Sequence, residues 1–124
     1  MGAKQLAGGL CLAWVLAASS AAHADKSAVT LSGPQTAARG QEITVQVSVT
    51  HSANTSAHHT QWLKVWVNGK ETAHFAFGGG KLPEGAAFAR EVKLTPTGDV
   101  EVKAEASCNV HGSKGPGLLK ISVK

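Results

Sequence analysis

Five histidines and one cysteine carry most of the chemistry that residues 25–124 can offer. Three of the histidines lie in Thr50-His51-Ser52-Ala53-Asn54-Thr55-Ser56-Ala57-His58-His59, a polar connection between two strongly apolar-alternating segments. The cysteine and a fourth histidine share the short run Ser107-Cys108-Asn109-Val110-His111-Gly112. Imidazole nitrogen and thiolate sulfur together form the ligand set for zinc, copper or iron. A Cys-x-x-His spacing lets one tight turn offer sulfur and nitrogen to a single ion, and Gly112 frees the backbone to turn away afterwards. The fifth histidine, His74, sits in Thr-Ala-His-Phe-Ala-Phe and reads as an ordinary strand residue.

Other chemistries find less support. Cys108 could act as a nucleophile with His111, but no general-acid partner or oxyanion motif accompanies the pair. Taken alone, it could equally be an inert buried thiol. The run Gly78-Gly79-Gly80-Lys81 lacks the spacing and following helix of a phosphate loop. Asn54-Thr55-Ser56 fits a glycosylation sequon. Twelve basic against eight acidic residues give a formal charge of +4, but the basic residues are scattered, which argues against a nucleic-acid partner.

The elements that must position these groups are strands. Ile43, Val45, Val47 and Val49 alternate with polar residues, as do Val100, Val102, Ala104 and Ala106. Leu63, Val65 and Val67 face one way, with Trp62 and Trp66 facing the other around Lys64. Period-2 alternation of this kind marks half-buried strands. Asn68-Gly69 supplies a hairpin turn. Ala28–Leu31, Ala73–Phe77, Phe88–Leu94 and Leu118–Val123 complete a set of about seven, and no segment keeps a helical period. The expected fold is all-β, an immunoglobulin-like antiparallel sandwich formed as a single domain.

Residues 1–24 read separately. Lys4, an apolar core from Leu6 to Ala18, and Ala22-His23-Ala24 form the three regions of a secretory signal peptide, with cleavage expected after Ala24. The apolar core is shorter than the ~18 residues of a membrane span. Domain 25–124 would then be periplasmic or secreted, off the membrane, with Cys108 as its only thiol. With no internal disulfide available, its stability must come from packing and from any metal it holds. A lone thiol in an oxidising compartment needs burial or occupation.

The combination of His51, His58-His59-Thr60-Gln61-Trp62 and Cys108-Asn109-Val110-His111-Gly112 resembles the active-site pattern of superoxide reductases, the desulfoferrodoxin/neelaredoxin family. The likeness runs from about Glu42 to Val123. It implies a mononuclear iron with four histidines in a plane, an axial cysteine thiolate and an open sixth position. Carried over by motif, the metal ligands are His51, His58, Cys108 and His111. His59 matches a variable neighbour of the ligand, while Asn109 and Trp62 support the site. Two departures stand out. The His51–His58 spacing is one residue longer than the family's. The family's N-terminal Glu-Lys-His element meets Asp25-Lys26-Ser27, so Lys26 can attract an anion but Ser27 cannot replace an imidazole.

A His₃Cys set changes the expected metal. Copper leads the stability order of the first-row divalent ions and accepts soft thiolate. Copper is therefore favoured, with iron second and zinc third, one ion per chain. The resemblance implies superoxide as substrate, removed by dismutation or by reduction with an external electron donor. Competing readings are a copper-carrying or electron-transfer protein without turnover and a structural zinc module. Sheet edges also admit a homodimer.

Overall fold

The structure is a computed structural model that describes residues 25–124, so the leader assigned to residues 1–24 lies outside the described residues. The chain order is β1 (Ala28–Ser32), β2 (Thr36–Ala37), β3 (Ile43–Thr50), β4 (Thr60–Val67), β5 (Lys70–Ala76), β6 (Phe88–Leu94), β7 (Val100–Cys108) and β8 (Gly117–Val123). They form a three-stranded sheet, β1-β3-β6, and a five-stranded sheet, β2-β8-β7-β4-β5. All pairings are antiparallel except β2 with β8. The expected sandwich is present, with eight strands in place of about seven. The extra one, β2, has two residues and is too short to show alternation.

The core lies where the alternation puts it. Val45, Val47 and Val49 of β3 meet Leu63, Val65, Val102, Ala104, Ala106 and Ile121 of the larger sheet, all buried. Trp62 and Trp66 lie half-buried on its outer face, under Lys64 and Lys103, whose ammonium groups sit 4.9 and 4.8 Å from the ring centres. The Asn68-Gly69 hairpin forms as expected, both residues having positive φ (49° and 82°). The glycine run at 78–80 closes a small turn in which Gly78 and Lys81 exchange backbone hydrogen bonds.

Register decides which loops meet. Ala28 at the start of β1 pairs with Thr50 at the end of β3, and Thr60 at the start of β4 pairs with Cys108 at the end of β7. All four positions fall at one end of the sandwich. The alternation of β7 continues past Ala106 for two residues, so Cys108 is the last inward-facing residue of the strand and not part of the loop beyond it. It is 3% exposed.

Between the sheets, β8 can approach β1 because Gly117 has no side chain. A Cβ there would stand 2.8 Å from Leu31 Cδ1 and 3.2 Å from Val29 Cγ2. Gly117→Ala is expected to cost about 1–3 kcal/mol through overpacking, read as a lower denaturation midpoint at unchanged slope.

Candidate metal centre

The polar connection from His51 to His59 is built by its own hydrogen bonds. Thr55 and His58 exchange backbone bonds of 2.8 and 3.1 Å, and the His58 N–H also reaches Thr55 Oγ1 at 3.0 Å. His59 Nδ1 donates to Thr55 O at 2.9 Å. Asn54 Nδ2 donates to Pro83 O at 2.9 Å, while its Oδ1 is buried. The sequon asparagine is therefore a loop anchor with its amide turned inward. These bonds turn His58 toward Cys108 and commit His59 to holding the loop. His59 is 4% exposed, with its ring held on Thr55 O.

The second loop is a tight reversal. Cys108 and Gly112 exchange backbone bonds of 2.9 and 3.1 Å, with Gly112 at φ 79°. This turns the N–H groups of Val110 and His111 back onto Cys108 Sγ, at 3.3 and 3.4 Å. Two such donors stabilise negative charge on sulfur and fix its direction.

These segments bring three candidate ligands together. One ligand atom each from His51, His58 and Cys108 lies within 4.8 Å of the others. His111 stands beside them, with Nδ1 3.3 Å from His58 Nε2. The rings of His51 and His58 meet edge to face at 4.7 Å, and those of His58 and His111 at 5.1 Å. Metal–nitrogen and metal–sulfur bonds of about 2.0–2.3 Å put the ligands of one ion roughly 3–4.5 Å apart, so this donor set fits a single transition metal. Burial grades across the site. His51 and Cys108 are buried, His58 is half-buried and His111 exposed, so one side opens to solvent. His74 lies on exposed β5, paired with Lys64, and takes no part.

The amino-terminal stretch runs past the same place. Ser27 is fully buried; its N–H donates to Gly112 O at 3.2 Å, and its hydroxyl is 2.8 Å from Thr60 Oγ1. Lys26 is exposed, between Ser27 and Asp25, whose carbonyl oxygen lies 3.3 Å from His51 Nε2. Neither the role of Ser27 nor that of Asp25 could be read from residue types, since one acts by burial and the other by its backbone.

Asn109 joins the two loops. Its backbone N–H donates to His59 O at 3.0 Å, its Oδ1 accepts from His59 N–H at 2.9 Å, and its Nδ2 donates to Ala57 O at 3.1 Å. Asn109→Ala strands the buried His59 amide. It is expected to destabilise the metal-free protein by about 1–3 kcal/mol, measured by denaturant unfolding.

The comparisons agree with this architecture. The superoxide reductase (neelaredoxin) of Ignicoccus hospitalis, in a variant form, superposes with a TM-score of 0.66 at 22% identity, over 80% of this chain and 82% of that one. The PKD domain of an M14-like peptidase from a Thermoplasmatales archaeon gives 0.62 at 13% identity, over 81% and 97%. A CARDB domain from Pyrococcus furiosus gives 0.61 at 16%, over 78% and 91%. At these identities the likeness speaks for the sandwich fold. No curated protein sequence matches significantly. The family profile described as desulfoferrodoxin matches residues 20–113. With that match spanning most of its length, the chain belongs to the desulfoferrodoxin family.

Proposed function

We propose that the protein is an exported oxidoreductase that removes superoxide at a mononuclear His₃Cys centre, with copper as the resident metal. The convergence of His51, His58 and Cys108 within 4.8 Å, with His111 at its open side, carries this reading. His51, His58, Cys108 and His111 would hold the ion, which would supply the one-electron chemistry that, with two protons, takes superoxide to hydrogen peroxide, the electron coming back from a second superoxide or an external donor.

The chain's own groups divide the remaining work. His51, buried, orients its ring by donating Nδ1–H to Ala53 O at 2.7 Å. Cys108, held by two N–H donors, sets the electron-donating strength of the site. The exposed side at His111 admits a small anion, and Lys26 and Lys114, both exposed and flanking Ser27 and Ser113, add positive potential there. Copper is favoured over iron because Ser27 stands where the family pattern has an imidazole. Its hydroxyl is already committed to Thr60, so a five-ligand iron site is one nitrogen short. Export rests on the leader pattern of residues 1–24.

A second reading, a copper-carrying or electron-transfer protein, draws on one feature. Val110, 57% exposed, stands next to exposed His111, which gives a redox partner an apolar contact beside a ligand.

Metal analysis, visible spectroscopy and superoxide removal separate these readings. The copper-loaded protein is expected to show a sulfur-to-metal absorption band that disappears in Cys108→Ser, and to consume superoxide. Full metal binding in a His51→Ala/His58→Ala/His111→Ala variant would overturn the site. A band without superoxide consumption would favour the carrier. A colourless, zinc-loaded protein would overturn both.

A further inference from the structure

Arg90 stands at an inward position of β6. It pairs with Val47 across β3 and lies between Phe88 and Val92, and these three neighbours are all buried. An unpaired guanidinium could not stay there. β6 is an edge of the smaller sheet, so the side chain can leave the core sideways. It runs out past Phe75, Phe77 and Phe88, whose ring centres lie 5.6, 5.5 and 5.2 Å from its guanidinium carbon. At the mouth it forms a two-bond fork with Glu84, Nη1 to Oε2 at 2.7 Å and Nη2 to Oε1 at 3.0 Å. We propose that Arg90 and Glu84 are positioning residues of the metal centre, acting on the loop that carries His51 and His58. The inference rests on the metal-centre reading above and deepens it.

The fork differs from an ordinary surface pair. Exposed ion pairs contribute little, because two mobile side chains must be held in one geometry. The Arg90 side chain is 24% exposed and already packed among three rings, and a planar fork gives up less freedom for each bond it makes. What it grips is the connection 77–87 between β5 and β6, in which Glu84 lies.

That connection backs the ligand loop. The Phe77 N–H donates to Gln61 O at 2.9 Å, which fixes its start on β4. Gly79 lies against Ser56, where an added Cβ would stand 3.3 Å from Ser56 Cβ. Pro83, buried and next to Glu84, accepts from Asn54 Nδ2 at 2.9 Å. Asn54 is flanked by the two residues whose backbones hold the histidines. Ala53 O lies 2.7 Å from His51 Nδ1, and Thr55 exchanges backbone bonds with His58. Support therefore runs from Arg90 to Glu84, along one peptide to Pro83, across to Asn54, and on to both rings. Cys108 and His111 sit on the separate turn closed by Gly112. Loosening the fork thus frees two ligands relative to the other two.

Two variants cut the fork from either side. Glu84→Ala removes an exposed carboxylate and leaves the ring contacts of Arg90, while Arg90→Lys keeps the charge but cannot form the parallel pair. Both are expected to speed amide exchange of Thr55 and His58 in the metal-free protein, with Val47 and Val102 in the core unchanged. Both should weaken copper(II) binding about tenfold in competition with a chelator, the lower end for groups that orient ligands from outside. Glu84→Ala combined with Asn54→Ala should bind copper within about twofold of Asn54→Ala alone, because a link already cut cannot be cut again. Unchanged copper affinity in Glu84→Ala overturns the positioning role and leaves the His₃Cys centre standing, as do losses that multiply in the double variant. Faster exchange throughout the core makes the pair a general brace of the sandwich and overturns the role likewise. No copper binding by the unsubstituted protein overturns the metal centre, and this role toward it as well.

Discussion

The site depends on one stretch of antiparallel pairing, where Thr60 at the start of β4 lies opposite Cys108 at the end of β7. Backbone pairing alone would bring two strand ends together without fixing the loops beyond them. Asn109 extends the pairing by three further hydrogen bonds into the 57–59 segment, after the ladder has lost regular register between Thr60 and Trp62. The bulge allows Thr60 and Leu63 both to face inward, although strict alternation would put them on opposite faces. Thr60 can then bind Ser27, which ties the first strand of the smaller sheet to the same point. Three separate parts of the chain are thereby fixed relative to Cys108 before any ion is considered.

Strands with strict alternation were legible in the sequence. The Val45–Val49 and Val100–Ala106 patterns place the core residues on the face where they lie, because a period of two leaves a half-buried strand no other choice. The limits of legibility are local. Thr36–Ala37 pairs with Ser122 and Val123 over two residues, too few for any period to appear. Cys108 is a strand residue, and only the continued parity of Val100 to Ala106 could have shown it, since the following Asn-Val-His-Gly reads as a loop. At the site, residue types and spacing drew attention to His51, His58, Cys108 and His111, which the fold brings close together, whereas the groups that orient these segments act through backbone atoms. Ala53 O orients His51, Thr55 O holds His59, and the Val110 and His111 amides hold the sulfur. A backbone carbonyl has the same chemistry in every residue, so its role appears only when the chain is folded.

Ser27 is buried beside the site with its polar groups paired. Its hydroxyl turns into the sandwich and is satisfied by Thr60 at 2.8 Å, which removes the cost of burying it. The backbone of Ser27 makes a parallel bridge to Ser113, which fixes the path of the chain past the site.

The same order of events bears on selectivity. A small domain without a disulfide could have used its metal as a folding staple, leaving the ligand loops loose until the ion arrives. Here the loops are closed by their own bonds, among them the Thr55–His58 pair, the Cys108–Gly112 pair and the Asn109 bridges. Ligands held in advance give up little conformational entropy on binding, so more of the metal–ligand bond energy appears as affinity. They also resist rearrangement toward an ion of different preferred geometry. Selection then rests on how well each ion accepts imidazole and thiolate donors in the places the fold gives them.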